Sequence, residues 1–258
     1  MIDLHSHILP ALDDGPETVE GSLALARGAL AAGTTKLVAT PHINRRYDLH
    51  PSGIREAVAA LRARLEVERI ELELLMGAEI STGRLPSLSR EDLDALRLGD
   101  GPYLLLEVPL GPGIGTLPSA VERLQRDGYG VLLAHPERSP GLQRDPAKLR
   151  RLVETGALCS ITAGSLSGRF GQTPRRFALT LLREGLVHDV ASDTHDAVRR
   201  TPELLPGLSD AAADLPGLRE QVPWLTEDAP AAILSGAPLP RRPPLPSPRR
   251  RSLLPWRA

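Results

Sequence analysis

Short apolar runs alternate with longer amphipathic stretches along this chain. The runs fall at Ile2–Leu4, Lys36–Ala39, Leu72–Met76, Tyr103–Val108, Gly130–Ala134, Ala157–Thr162 and Val187–Ala191. Short apolar runs bounded by turn residues predict strands. Between them, Glu17–Ala32, Ser52–Glu68, Leu117–Asp127, Pro146–Glu154 and Thr173–Glu184 read as helices. Gly15-Pro16 precedes the first and Gly33 follows it, while Gly128, Gly156 and Gly185 close the last three. Proline at a first turn and glycine past a last one are helix start and stop signals. Seven strands alternating with helices predict βα units and a parallel sheet, closed as a barrel or left open.

The polar residues that end these runs change the picture. The first run leads into His5 and His7, two apart and so on one face of an extended chain. Asp13-Asp14-Gly15-Pro16 follows. The second run ends at His42, the third at Glu79, the fourth holds Glu107, the fifth gives His135 and Arg138, and the seventh gives Asp193 and His195. In a parallel α/β barrel the C-terminal strand ends share one face, where sites are built. Five histidines and four carboxylates would then converge, which predicts a metal site. Simpler readings stand beside this one. Glu107 could instead be salt-bridged to an arginine. Asp13 and Asp14 could form a turn, and a turn role for one leaves a ligand role for the other. His188, at the opposite end of its strand, is expected to be structural, His50 solvent-exposed, and Cys159 a core thiol.

Composition narrows the class. Of the 258 residues, 41% are hydrophobic and 24% charged, as in a globular protein with a substantial core, but only 3% are aromatic, so Leu, Val, Ile and Ala must build that core. The single cysteine rules out an internal disulfide framework and a cysteine-based zinc site. No run is long enough to span a bilayer and no signal peptide is evident, so the chain is expected to be cytoplasmic. Residues 236–258 carry six arginines and no acid, and setting these aside from the net charge of -1 leaves the rest at -7. An acidic body argues against nucleic-acid binding. The expected organisation is a domain over 1–235 and a Pro/Arg-rich, disordered tail over 236–258, with a basic arm for an acidic partner or membrane surface as the functional reading of that tail.

Taken together, Met1-Ile2-Asp3-Leu4-His5-Ser6-His7-Ile8-Leu9-Pro10 and Asp13-Asp14-Gly15-Pro16 resemble the start of the bacterial capsule-operon tyrosine phosphatases. These are the CpsB/CapC-type members of the polymerase and histidinol phosphatase (PHP) superfamily. Thr40-Pro41-His42, Gly77-Ala78-Glu79, Ala134-His135-Pro136-Glu137-Arg138 and Ser192-Asp193-Thr194-His195 match the later motifs in order. The resemblance covers about residues 1–236 and leaves out the tail. It implies a distorted seven-stranded (β/α)7 barrel of PHP type holding three divalent ions, usually manganese, at the C-terminal strand ends. By resemblance the metal residues are His5, His7, Asp14, His42, Glu79, Glu107, His135, Asp193 and His195, and the phosphate-contacting arginines are Arg138 and Arg200. Arg199 precedes Arg200, and the family's Pro-Pro is Thr201-Pro202 here, so the register is open by one residue.

The resemblance implies hydrolysis of phosphotyrosine by a metal-activated hydroxide, the arginines holding the phosphoryl oxygens. Three divalent ions against four carboxylates leave a charge of +2 to offset a hydroxide and a phosphate. Imidazole and carboxylate ligands suit manganese, iron or zinc, and the preference for manganese comes from the family. A cysteine phosphatase would need an arginine six residues past its nucleophile, where Cys159 has Ser165. The expected substrate is a tyrosine autokinase controlling capsular or exopolysaccharide synthesis. The alternatives are a phosphatase of a small metabolite such as histidinol phosphate, and a non-catalytic phosphotyrosine-binding regulator.

Overall fold

The computed structural model describes residues 1–246. Nine short parallel strands alternate with eleven helices: β1 Ile2–Ser6, α1 Val19–Ala31, β2 Lys36–Ala39, β3 His42–Ile43, α2 Pro51–Val67, β4 Glu73–Met76, β5 Glu79–Ser81, α3 Arg90–Ala95, β6 Tyr103–Glu107, α4 Leu117–Arg126, β7 Gly130–Ala134, α5 Pro140–Arg144, α6 Pro146–Glu154, β8 Leu158–Thr162, α7 Ala163–Leu166, α8 Gln172–Arg183, β9 Asp189–Ala191, α9 Leu205–Asp214, α10 Leu218–Pro223 and α11 Ala229–Ser235. All strand pairs are parallel, in one sheet ordered β1-β2-β4 and a second ordered β3-β5-β6-β7-β8-β9.

All seven expected runs form strands among the described residues, and two further short strands, β3 and β5, lie just past β2 and β4. Thr40-Pro41 separates β2 from β3, and Gly77-Ala78 separates β4 from β5. Pro41 has no N–H to give to a ladder, which favours a break there. No continuous ladder closes the two sheets into a barrel. Instead β1 meets the segment after β9 through an isolated bridge at Ser6 and Thr194, with Asp193 N donating to His5 O at 3.0 Å and His7 N to Thr194 O at 2.9 Å. The buried Asp3 carboxylate helps this junction by accepting from His5 N at 3.2 Å and Ser192 N at 3.1 Å. On the other side, Gly99 N donates to Met76 O and Leu98 N to Tyr103 O, both at 2.8 Å, bridging β4 and β6.

Both faces of the central strands are apolar. Leu104, Leu106, Val131, Leu133, Cys159 and Ile161 join the large core under the helices. Leu4, Val38, Leu105, Leu132, Ala134 and Leu158 form a smaller cluster on the opposite face, plugged by Ile233 and Leu234 of α11. By strand alternation that second face carries Glu107 beyond Leu105. In a regular β1, Leu4 and His5 would point to opposite faces. The pairing register slips between Asp3 and Ser6, the stretch where His5 lies.

Helix ends mostly fall where the sequence predicts, and Gly128, Gly156 and Gly185 follow α4, α6 and α8 with positive φ. The first helix starts later than expected, at Val19, because Thr18 caps it by accepting from Gly21 N. The helices after β9 were not anticipated. Nor does residue 236 begin a detached tail. Residues 237–246 run along the N-terminal side of the strands, where Trp224 Nε1 donates to Pro240 O at 2.9 Å and Arg242 Nη1 to Val187 O at 2.7 Å. The rest of the expected tail, 247–258, lies outside the described residues.

Candidate metal centre

Eight of the nine predicted ligands sit at or just beyond a strand's C-terminal end, and Asp14 lies in the loop between β1 and α1. His5 and His7 end β1, His42 opens β3, Glu79 opens β5, Glu107 ends β6, His135 follows β7, and Asp193 and His195 follow β9. His135 and Asp193 have φ of 38° and 51°, so two of the four non-glycine residues with positive φ among the described residues are in this set. Such backbone is costly and persists where surrounding structure enforces it, often at functional sites.

The nine residues form four overlapping groups whose ligand atoms lie within 4.8 Å of one another: His7, Asp14, His42 and His195; His5, His7 and Asp193; His5, Glu79 and His135; and His42, Glu79 and Glu107. Glu79 is central. Its Oε1 is 2.6 Å from His135 Nε2, and its Oε2 is 2.9 Å from His42 Nδ1, 3.3 Å from His5 Nε2 and 3.5 Å from His7 Nε2. Burial would raise the Glu79 pKa, but the charges of His5 and His135 outweigh it and hold the carboxyl well below its usual range. Burial likewise opposes ionisation of Asp193, and His5, a bond to His7 and the Arg200 charge reverse that. For Glu107, burial and the Glu79 charge raise the pKa. No lysine or arginine lies within 4.0 Å of Glu107 among the described residues, which sets aside its reading as an arginine salt bridge.

Buried atoms without a hydrogen-bond partner test whether this set fits ions. Glu79 Oε2, His42 Nδ1 and His195 Nε2 are all such atoms. None makes a well-formed hydrogen bond, yet Glu79 Oε2 faces His42 Nδ1 at 2.9 Å and His195 Nε2 faces Asp14 Oδ1 at 3.2 Å, and lone-pair groups gathered this closely without hydrogen-bond geometry fit a centre built for cations. Imidazole and carboxylate donors without thiolate are the right chemistry for divalent ions.

The two neighbouring aspartates divide the roles left open above. Asp14 Oδ1 reaches His195 Nε2 at 3.2 Å and His42 Nε2 at 3.6 Å, so it belongs to the cluster. Asp13 builds the turn, accepting from Gly15 N at 3.0 Å, and also takes His7 Nδ1 at 2.6 Å and His42 N at 2.9 Å. A carboxylate on Nδ1 turns Nε2 toward an ion and fixes the tautomer. Glycine is needed at 15 because a Cβ there would lie 2.1 Å from His7 O. His195 Nδ1 is similarly fixed by the Asp193 carbonyl at 3.1 Å. Asp13 as an orienting residue was missed as a site residue in the sequence, although Asp-Asp-Gly was its signal.

Arg138 and Arg200 arrive from different loops at one carboxylate oxygen. Arg138 Nη1 lies 2.7 Å and Arg200 Nη2 2.6 Å from Asp193 Oδ2, while Asp193 Oδ1 faces His5 and His7 at 3.6 and 3.5 Å. Arg199 is exposed, so Arg200 is the one that faces the cluster. Phe170, which nothing in the sequence pattern singled out, lies beneath both guanidiniums. The other titratable candidates lie elsewhere. His50 caps α2 with a 73% exposed side chain. His188 accepts the Cys159 N–H. Cys159 is fully buried, which pushes its thiol well above the usual range.

Residues 1–213 match the family described as "Capsular polysaccharide synthesis, CpsB/CapC". The chain belongs to the CpsB/CapC family. Among curated relatives it is 38% identical to the tyrosine-protein phosphatase YwqE of Bacillus subtilis, over 97% of this chain and 98% of that protein. It is 28% identical to the tyrosine-protein phosphatase CpsB of Streptococcus pneumoniae, over 78% of this chain and 86% of that one. A solved structure described under YwqE and CpsB as "unique metal-dependent tyrosine phosphatases" superposes with a TM-score of 0.84 at 37% identity, covering 96% of this chain and all of that one. A β-aspartyl dipeptidase of Fervidobacterium islandicum AW-1 shares the fold alone, with a TM-score of 0.57 at 14% identity over 90% of this chain and 74% of that one. The CpsB/CapC match thus spans every residue of the cluster and both arginines. Among the described residues no helix is long and apolar enough to cross a membrane.

Proposed function

We propose that this chain is a metal-dependent protein-tyrosine phosphatase, acting in the cytoplasm on a tyrosine autokinase of capsular or exopolysaccharide synthesis. The observation that carries the reading is the union of nine convergent ligands with two guanidiniums on one face of the strands. Its membership of the CpsB/CapC family and its likeness to YwqE over nearly its whole length support the choice of substrate. We read the two sheets as one distorted barrel joined at Ser6 and Thr194. The phosphatase unit is everything up to about residue 235.

His5, His7, Asp14, His42, Glu79, Glu107, His135, Asp193 and His195 would hold the ions, three in number and manganese by family resemblance. When bound, they supply Lewis acidity toward a phosphoryl oxygen and a nucleophile at neutral pH. The chain's own residues do the rest. Glu79, ionised and in reach of His5, His7, His42 and His135, fixes the spacing of the donors. Asp13 keeps His7 Nε2 turned inward. Arg138 and Arg200, which share Asp193 Oδ2, have further N–H groups to offer to a phosphoryl group beside them. Cys159 takes no part, since a nucleophilic cysteine needs a depressed pKa and its burial raises it.

The test is chelation followed by manganese restoration, assayed on a phosphotyrosine peptide and on histidinol phosphate. Activity should vanish, return with the metal, and favour the peptide. Full activity after chelation would overturn the metal mechanism. Preference for histidinol phosphate would make the chain a metabolite phosphatase, and binding of the peptide without turnover a regulator.

A further inference from the structure

The two arginines come from elements 62 residues apart in sequence yet bear on one ring. The guanidinium carbon of Arg138 lies 4.2 Å from the Phe170 centroid and that of Arg200 5.9 Å. Among the described residues their one carboxylate partner within 4.0 Å is Asp193, through a single oxygen. Two cations on one carboxylate oxygen repel each other. An aromatic face beneath both offsets that by the attraction of its quadrupole for positive charge.

Phe170 is well placed to do this and is not otherwise employed. Aromatic residues are scarce, at two Phe, three Tyr and two Trp in 258 residues. The other phenylalanine, Phe177, is a core residue, whereas Phe170 is half-buried and belongs to neither apolar cluster. It sits in the turn between α7 and α8, where Arg169 N donates to Gly164 O and Gly171 N to Gly168 O, both at 2.9 Å. That turn is tied to the one bearing Arg138. Glu137, the residue before Arg138, is fully buried and accepts from Thr162 N at 3.0 Å and Ser165 Oγ at 2.6 Å, at the entrance to α7. Arg138 and the ring beneath it are therefore held by one hydrogen-bonded unit.

We propose that Phe170 is a positioning residue that holds Arg138 and Arg200 as a pair beside the metal cluster, ready to receive a phosphoryl group. This rests on the phosphatase reading above. The ring touches the guanidiniums and need not touch the substrate.

The experiment uses the full, metal-loaded chain and compares Phe170→Leu with Phe170→Tyr and Phe170→Trp. Three quantities are read: orthophosphate affinity by calorimetry, KM and kcat on a small aryl phosphate, and metal stoichiometry. Leucine keeps the bulk but loses the π face. It should weaken orthophosphate binding and raise KM by about 3- to 30-fold, the range of a cation–π contact, with metal content unchanged. Tyr and Trp, which keep the face, should restore most of it. Unchanged orthophosphate affinity in Phe170→Leu would overturn the proposal, even if KM for the aryl phosphate rises, because the ring would then be meeting the substrate's aryl group. Loss of metal in step with the loss of binding would also overturn it, by making the ring a support of the cluster. If the wild-type chain hydrolyses no phosphomonoester, the phosphatase reading fails separately, and the calorimetry still reports whether the ring sets the arginines' affinity.

Discussion

The two ends of the strands put their polar groups to different uses. At the C-terminal end, Glu79 Oε2, His42 Nδ1 and His195 Nε2 are buried without well-formed hydrogen bonds, and two arginines share one oxygen. At the N-terminal end, Asp3 Oδ2, Thr34 Oγ1 and Asp189 Oδ1 are also buried without partners, but the polar groups that meet the last described segment are consumed by the chain itself. Arg242 donates to Val187 O and, through Nε and Nη2, to Gln221 Oε1 at 3.0 and 2.7 Å, with its guanidinium 5.1 Å from the Trp224 ring. Gln221 Nε2 in turn donates to Pro243 O. One end keeps donors and acceptors open at a cost in stability, and the other uses them to hold the last described segment against the body. The division matches the general pattern of α/β barrels, function at the strand C-termini and stability at the N-termini.

Breaking the functional end should be most damaging at Glu79. Glu79→Gln removes the charge that four imidazoles face. Disrupting a buried ion pair costs about 3–5 kcal/mol, so efficiency should fall about a hundred- to several-thousand-fold, with metal content. Metal analysis beside kinetics checks this, and a variant that keeps its metal and rate would unseat Glu79 as the centre. Arg138→Ala and Arg200→Ala come next, at about 2–4 kcal/mol or roughly 30- to 1000-fold, with metal retained. Lysine should rescue only in part, since it lacks the fork. Because both arginines also bond Asp193, metal lost in step with activity would move them from the anion to the ions. Asp13→Asn should be milder, weakening metal affinity about 10- to 100-fold by loosening His7. A titration with manganese reads it directly.

Much of this end was legible in the sequence because the candidate ligands follow apolar runs, and strand direction alone sends them to one face. His5, His7, His42, Glu79, His135, Asp193 and His195 all needed only that rule. Asp13 and Phe170 escaped it, since their roles depend on contacts between loops that no local pattern records. The two additional short strands escaped notice for a related reason. Leu-Val-Ala-Thr-Pro-His reads as one run, yet Pro41 interrupts its ladder, and so does the bend at Gly77-Ala78. The N-terminal end was least legible. Leu239-Pro240-Arg241-Arg242-Pro243 has the composition of a disordered tail, but Arg242 finds a carbonyl, an amide and an aromatic face supplied by residues as distant as Val187.

The stability end should answer to variants that leave catalysis alone. Arg242→Ala removes three hydrogen bonds and a ring contact from a half-buried site, and should cost about 1–3 kcal/mol of unfolding free energy. Hydrolysis of a small aryl phosphate by the folded variant should match the wild type. A fall in that rate at unchanged metal content would mean that the two ends are coupled.

The smallest expected effect lies beside Arg242, at His188. Its Nδ1 accepts the Cys159 N–H at 3.1 Å, its ring lies 6.4 Å from that of Trp224, and burial, then the Arg242 charge, lower its pKa from 6.5 to about 4. A proton on Nδ1 would abolish the bond it receives, so the neutral ring is the native form. The unfolded chain, with an ordinary histidine pKa near 6.5, takes up that proton first as the pH falls. The contribution of His188 is therefore fully present above about pH 6.5, declines below it, and levels off once the pH passes the folded value. One pH unit below 6.5 the loss should be about 1 kcal/mol. The other histidines also take up protons in the unfolded chain over this range, so the wild type alone cannot isolate it. His188→Gln keeps an acceptor for Cys159 N–H and has no proton to gain. Unfolding free energies of both proteins at pH 7.5 and 5.5 should show the variant losing about 1 kcal/mol less than the wild type over that interval. Equal losses would mean that His188 is protonated in the folded protein as readily as in the unfolded chain, and that this end of the strands is wetter than its hydrogen bonds imply.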